Sequence, residues 1–203
     1  MRSKGERTFT EGARRAQIVD CAIDVIAEVG YPQASIRKIA DRVGVAMSVV
    51  LYHFAGKDEL VGAIVSKLYR LFIERILPAV QAETTAAGKF RAYIRGNVAY
   101  IADHKKEHGV IIDIGMTYRS ATGKRLYDLE LDPELLTQLS KLDLESIFGL
   151  GEGISAPHPK LTAVAVRSAL NGAVLEVGLD PDFDVLGYGE ELVRLFEPIW
   201  RMS

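Results

Sequence analysis

Apolar residues recur along this chain at spacings of three and four, and no stretch alternates apolar with polar positions over the length of a strand. Ile18, Ala22, Val25, Ile26 and Val29 mark a first helix over 11–29, closed by Gly30, with Pro32 preventing a restart. Ser35 is an N-cap, and Ile36, Ile39, Ala40 and Val43 share one face before Gly44, the residue type that ends a helix in the left-handed conformation. A third, short helix runs from after Val45 to Phe54. The fourth spans 57–77 on a stripe of Leu60, Ile64, Leu68, Leu71, Phe72 and Ile76, and Pro78 stops it by disfavouring helical geometry at Leu77. Thr84 and Thr85 are caps for a fifth helix over 86–104, and a sixth covers 106–119. The stretch 120–132 reads as a loop with one helical turn. Asp132-Pro133-Glu134 starts a seventh helix that reaches 148, and Gly149, Gly151, Gly153, Pro157 and Pro159 mark a connector. An eighth helix spans 160–177, closed by Gly178, and a ninth 184–201. The pattern predicts an all-α protein of about nine helices, with no internal repeat and no low-complexity segment.

Two short helices across a glycine-containing turn, from Ser35 to Phe54, form a helix-turn-helix, whose second helix enters the DNA major groove. Val45, Val50 and Phe54 point inward, leaving Met47, Ser48, Val49, Tyr52 and His53 for the groove side. Ser48 can donate or accept at a base edge or phosphate, and Val49 can meet a thymine methyl. No Arg or Asn lies on this helix, so Arg37 on the preceding one, beside Lys38, is the candidate for a bidentate base contact. Arg14 and Arg15 fall in the predicted first turn of the first helix, where the dipole disfavours cations, which makes an external anion a partner for one of them. The tail 1–10 is either frayed or an arm that touches phosphate or the minor groove.

Gly30-Tyr31, Ser35, Ile39-Ala40, Val43-Gly44-Val45, Tyr52-His53-Phe54, Lys57 and Leu60 together resemble the TetR family of bacterial transcriptional regulators. The motif covers about the first third of the chain; beyond it only length and helix layout are similar. The resemblance implies an N-terminal three-helix DNA-binding domain over 11–70, joined by the fourth helix to an effector-binding and dimerisation domain over 71–203. It also implies backbone contacts from Tyr52 and His53 and a phosphate near Lys57. Ala46 stands where the family commonly has Ser or Thr, so the reader helix lacks that cap, and Leu51 stands where a Tyr is frequent, so that hydroxyl contact is not carried over.

Composition changes this picture little. The net charge of −2 shows no global basic excess, but residues 1–57 carry +3 and the remainder −5, which puts the phosphate-seeking surface at the N-terminus. One cysteine allows no intrachain disulfide and suits a reducing compartment. No apolar signal core follows the basic start and no run approaches the ~18 apolar residues of a membrane span, so the expectation is a cytoplasmic protein without membrane attachment.

His104 and His108 are four apart, as on a zinc-binding helix face, but the first lacks the following Glu of the zinc-protease motif. A solvated helix end is the better reading, and no metal or cofactor is expected. Tyr93, Asn97, Tyr100 and His104 recur on one face and read either as polar tips reaching solvent or as the lining of an apolar cavity. The resemblance favours the cavity, walled further by Phe72, Leu142, Phe148 and Asn171. On the eighth helix Leu161, Ala165, Ser168, Gly172 and Leu175 form a face with a small middle; on the ninth, Leu192, Leu195, Phe196 and Ile199 form an apolar stripe. These are the predicted homodimer interface, a four-helix bundle of symmetry mates. No nucleophile, base and orienting group come together, so catalysis has no support. The expected function is a repressor, bound as a dimer to palindromic double-stranded DNA and released by a small, largely apolar effector. The alternatives are a DNA-binding regulator without an effector and a carrier on the same scaffold that does not bind DNA.

Overall fold

A computed structural model describes residues 4–144, 147, 158–180 and 182–198, with side chains from residue 11 onward. Phe148, Ile199 and the glycine-rich connector 149–153 lie outside these residues. Among the described residues the chain is helices and turns, with no strand. It divides into two units, each made of two segments: 1–68 with 109–131, and 69–108 with 132–203.

The first unit holds α1 (Lys4–Val29), α2 (Ile36–Val43), α3 (Met47–His53) and the first part of α4 (Lys57–Ala82). The later part of α6 (Lys105–Thr117) also belongs to it. Ile18, Ala22, Ile39, Val50, Phe54 and Val65 are fully buried and form its core. Ser35 caps α2 by accepting from the Lys38 N–H at 3.2 Å. Gly44 ends it at φ 76° and ψ 37°, and both Gly44 and Val45 donate to the Ala40 carbonyl at 3.0 Å. Only a residue without a Cβ takes this conformation at no steric cost, which fixes the turn into α3. Ala46 precedes α3 with no side-chain cap.

The second unit is built around α5 (Ala86–Asp103), against which α8 (Pro159–Leu179) and α9 (Val185–Leu195) pack. Thr85 caps α5 through the Gly88 N–H at 3.0 Å. Asp132 caps α7 (Pro133–Ser140) through the Glu134 N–H. Gly189 of α9 lies so close to Val98 of α5 that a Cβ there would meet a valine methyl at 2.4 Å, which fixes how near the two helices come.

Several boundaries differ from the sequence expectation. Pro32 does not block a restart: it opens a 3-10 turn, Tyr31–Gln33, where its missing N–H costs nothing. Pro78 lies inside α4 and does not end it. Proline removes one helical hydrogen bond, but Ile76, Leu77 and Val80 are buried around it, and their burial outweighs that loss. α1 begins at Lys4, so Arg14 and Arg15 are mid-helix. α7 ends at Ser140 rather than 148, and α8 passes through Gly178 to Leu179. The predicted turn in 120–132 is the 3-10 segment Leu126–Asp128. By length and mean hydropathy alone α8 would suffice to cross a membrane, but Lys160, Arg167, Asn171 and Glu176 interrupt it, so no unbroken apolar run of that length occurs in it.

Candidate nucleic-acid interface and effector row

The exposed side of α3 carries Met47, Ser48 and Tyr52, with Val49 half-buried at its edge. Tyr52 is 72% exposed. Its ring meets the half-buried His53 edge to face at 5.1 Å. Ser35, Arg37 and Lys38 are exposed on the first turn of α2. The structure thus places Ser35, Arg37, Lys38, Met47, Ser48, Val49, Tyr52 and His53 on or at the start of two adjacent short helices of one unit, with Lys57 at the head of α4.

What fixes these helices is not visible in the sequence. Arg15 is not a free anion site. One guanidinium nitrogen donates to the carbonyl of His53, a second donates to Glu59 Oε1 at 2.8 Å, and the plane lies 4.0 Å over the Phe54 ring. Arg15 therefore closes the C-terminal end of α3, where carbonyls lack helical partners. Glu59 also accepts the Ala55 N–H, and that bond first, then Arg15, holds its carboxyl below the usual range. Arg14 is bonded to Gln17.

Lys57 is half-buried, with its ammonium on the Tyr31 carbonyl at 3.1 Å and 4.0 Å above the Tyr31 ring. Burial lowers its pKa and the neighbouring Asp58 opposes that shift. Tyr31 is buried, stands edge to face against Tyr118 at 5.8 Å, and burial pushes its hydroxyl up to about 12. The Tyr118 hydroxyl is buried beside Asp58 and Ser120 without hydrogen-bond geometry to either.

In the second unit the Tyr93 row faces inward. Tyr93, Asn97 and Tyr100 are buried, and Asn97 donates to the Tyr93 carbonyl at 2.8 Å. Burial raises the hydroxyls of Tyr93 and Tyr100 to about 12. Phe72 stands edge to face on Tyr100 at 5.5 Å, and Leu142 is buried. His104 ends α5 at φ −132°, and a new helix starts at Lys105. This break turns His108 inward, so the expected solvated helix end is wrong for it: His108 is 6% exposed, beside Tyr100, with no partner for Nδ1. Burial alone drops its pKa to about 4. Among the described residues no cluster of three His, Cys, Asp or Glu side chains could hold a metal. Asn171 is a correction: it is exposed, because the buried side of α8 is Ala163, Val166, Leu170, Ala173 and Val177.

The outer side of α8 presents Leu161, 67% exposed, and Leu175, 61%, with Ala165 and Ser168 between them and Gly172 partly exposed. On α9 Leu195 is 64% exposed, whereas Leu192 is buried within its own chain and Phe196, just after the helix, stands edge to face on Phe90 at 5.9 Å. The predicted stripe is therefore split, part of it holding the protomer together.

The family described as "Bacterial regulatory proteins, tetR family" matches residues 18–64, the stretch that holds α2 and α3. The fatty acid metabolism regulator protein of Bacillus subtilis is 34% identical over 89 residues, 43% of this chain and 46% of that protein. The regulator BetI of Klebsiella pneumoniae is 30% identical over 41% of this chain and 44% of its own length. The chain spans about half the length of the curated relatives it matches. The fold is similar to that of FadR from Bacillus subtilis, solved with stearoyl-CoA, with a TM-score of 0.66 at 23% identity over 89% of this chain and 96% of that one. It is also similar to AibR, solved with isovaleryl coenzyme A and operator DNA, with a TM-score of 0.69 at 22% identity over 90% and 97%. Residues 18–64 thus match the tetR family of bacterial regulatory proteins, and the fold of the chain is similar to that of the solved regulators.

Proposed function

We propose that this protein is a homodimeric transcriptional repressor that holds a palindromic operator and releases it when a small, largely apolar molecule binds in the second unit. The observation that carries the reading is the solvent-facing aromatic and hydroxyl surface of α3, Ser48 and Tyr52, on a helix locked at its far end by Arg15. One such helix contacts few bases, so two copies about one helical turn (~34 Å) apart are needed for useful specificity. The outer faces of α8 and α9 supply the pairing surface.

The buried row of Tyr93, Asn97, Tyr100 and His108 lines the effector site, with Phe72 and Leu142 as its apolar wall. The likeness to regulators solved with stearoyl-CoA and isovaleryl coenzyme A makes acyl-CoA thioesters the first effectors to test. A hundredfold release from DNA requires the ligand to prefer the released state by ~2.7 kcal/mol. The test is selection of duplexes by the purified dimer, then release by acyl-CoAs of graded chain length. Selection of a palindrome and its release by one length class is expected; no enriched duplex sinks the reading. A selected duplex that no acyl-CoA or lipophilic compound releases removes the effector. Asn97→Ala is expected to weaken the response about tenfold while leaving operator affinity within twofold.

Tyr52→Ala combined with Lys57→Ala is expected to weaken binding to every duplex. It should also flatten the dependence of log K on log salt by about 0.9, the share of one released counterion. The Lys57 charge accounts for the slope and the neutral Tyr52 for none of it. Replacing Ser48 or Val49 should instead change which duplex is selected.

A further inference from the structure

The Tyr31 peptide opens a 3-10 turn, so its N–H has no partner within the turn, and Gly30 before it has no side chain to cap it. The cap comes from 82 residues away: Asp113 of α6 accepts the Tyr31 N–H on Oδ2 at 2.6 Å. The Thr117 hydroxyl donates to the Asp113 backbone carbonyl at 2.7 Å and shares that proton with the other carboxylate oxygen, Oδ1, at 3.2 Å. The same Tyr31 residue offers its carbonyl, and its ring, to the Lys57 ammonium. Both backbone polar groups of Tyr31 are thus held: the N–H by a carboxylate from α6, the carbonyl by the cation at the head of α4 and by the Ala34 N–H at 3.2 Å.

We propose that Asp113 is a positioning residue for DNA binding: by fixing the Tyr31 backbone it fixes the carbonyl and ring that aim the Lys57 ammonium at an operator phosphate. Tyr31 can hold Lys57 in one direction only if its own backbone cannot turn. The N–H bond to Asp113 supplies that restraint, and a bond to a charged acceptor is the stronger kind. Gly30 sits at φ 77°, and its carbonyl, the other end of the same peptide, accepts from the Gln33 and Ala34 N–H groups at 3.2 and 3.1 Å; Asp113 adds a charged acceptor to that hold. The inference rests on the DNA-binding reading.

The experiment is a double-mutant cycle on operator affinity, with hydrogen exchange in the free protein. Asp113→Ala is expected to weaken operator binding about tenfold, whereas Asp113→Asn, which keeps an accepting oxygen, stays within about threefold of wild type. In a Lys57→Ala background, Asp113→Ala is expected to add less than twofold, because the group it aims is gone. A merely structural role would make the two losses multiply, and that result, or an Asp113→Ala affinity within twofold of wild type, overturns the proposal. The Tyr31 amide should exchange at least tenfold faster in Asp113→Ala; unchanged exchange also overturns it. If Asp113→Ala does not fold, Thr117→Ala, which removes the hydroxyl's bonds to the Asp113 carbonyl and Oδ1 and leaves the carboxylate in place, should give a smaller loss of the same non-multiplying kind. A wild-type protein that binds no duplex sinks the DNA-binding reading and this proposal with it; the exchange result then says whether the hold on Tyr31 failed too.

Discussion

Glutamate introduced at both Gly172 and Leu195 is expected to convert the protein to monomers and to cost about a thousandfold in operator affinity. At Gly172 a Cβ would meet nothing within 4 Å, so G172E disturbs no packing inside the protomer. Leu195 is largely solvent-exposed in the single chain, so L195E likewise spares the fold. Both carboxylates become costly only when a second copy covers them, since an unpaired charge in an apolar interface has lost its water. The exposed leucines on these helices supply the opposing drive, ~25 cal/mol for each Å² removed from water. Losing the second reader removes the avidity of two linked half-sites, worth about 10² to 10⁴ in affinity, hence the expected factor. Sedimentation velocity reads the first effect and operator titration the second, with helical content unchanged. A dimer that survives both substitutions moves the interface elsewhere. Leu192 and Phe196 are unsuitable for this test, because each packs within the protomer and its loss would unfold rather than separate the chains.

The second large effect is loss of stability in mild acid, carried by His108. Its folded pKa is about 4, while an unfolded histidine titrates near 6.5. Between those values the unfolded chain takes up a proton that the folded one refuses, so stability is complete above pH 6.5 and falls as the pH drops towards 4. The full span is worth about 3 kcal/mol. The groups around the ring do not reverse the sign: Tyr100 is neutral throughout, and His104 faces the same ring of Tyr100 at 4.8 Å. Glu107 is held by Lys106 at 3.6 Å. Carboxylates with lowered pKa, such as Glu59 and Glu190, act at more acid pH, below the ordinary carboxylate range, so the windows separate. Denaturant unfolding at about pH 7 and about pH 5 should therefore differ in wild type and differ much less in His108→Leu. Equal midpoints for wild type at both values would show that the buried imidazole finds a partner.

The elements governed by neighbours along the chain are legible in the sequence. Ser35, Gly44, Thr85 and Asp132 act within a few residues of themselves, and each caps or closes the helix expected of it. Pro78 misleads because its local cost says nothing of the burial around it, and Pro32 because a proline at the start of a turn gives up no hydrogen bond. The supports of the reader cannot be read at all. Arg15 finds its carbonyl 38 residues on and Asp113 its N–H 82 residues back, and no spacing rule joins such pairs. His108 is hidden for another reason: a single non-helical residue, His104, rotates all that follows, so an i, i+4 face drawn through it is not a face. Asn171 is misplaced by the pattern because α8 has apolar residues on both sides, and composition does not say which side is inner.

The unit that carries α2 and α3 is not a contiguous stretch of chain; it takes residues 109–131 as well as 1–68. Exchange of N-terminal segments between two such proteins, in the laboratory or by recombination, would cut this unit rather than move it whole. A chimera joined just after residue 68 inherits Tyr31 and Lys57 from one parent and its counterpart to Asp113 and Tyr118 from the other. On the proposed reading such hybrids should keep the operator choice assigned to α3, yet bind well only when the two parents agree at Tyr31, Lys57, Asp113 and Tyr118. Modularity in this chain is thus a property of contacts, and a boundary drawn on the sequence alone would sever it.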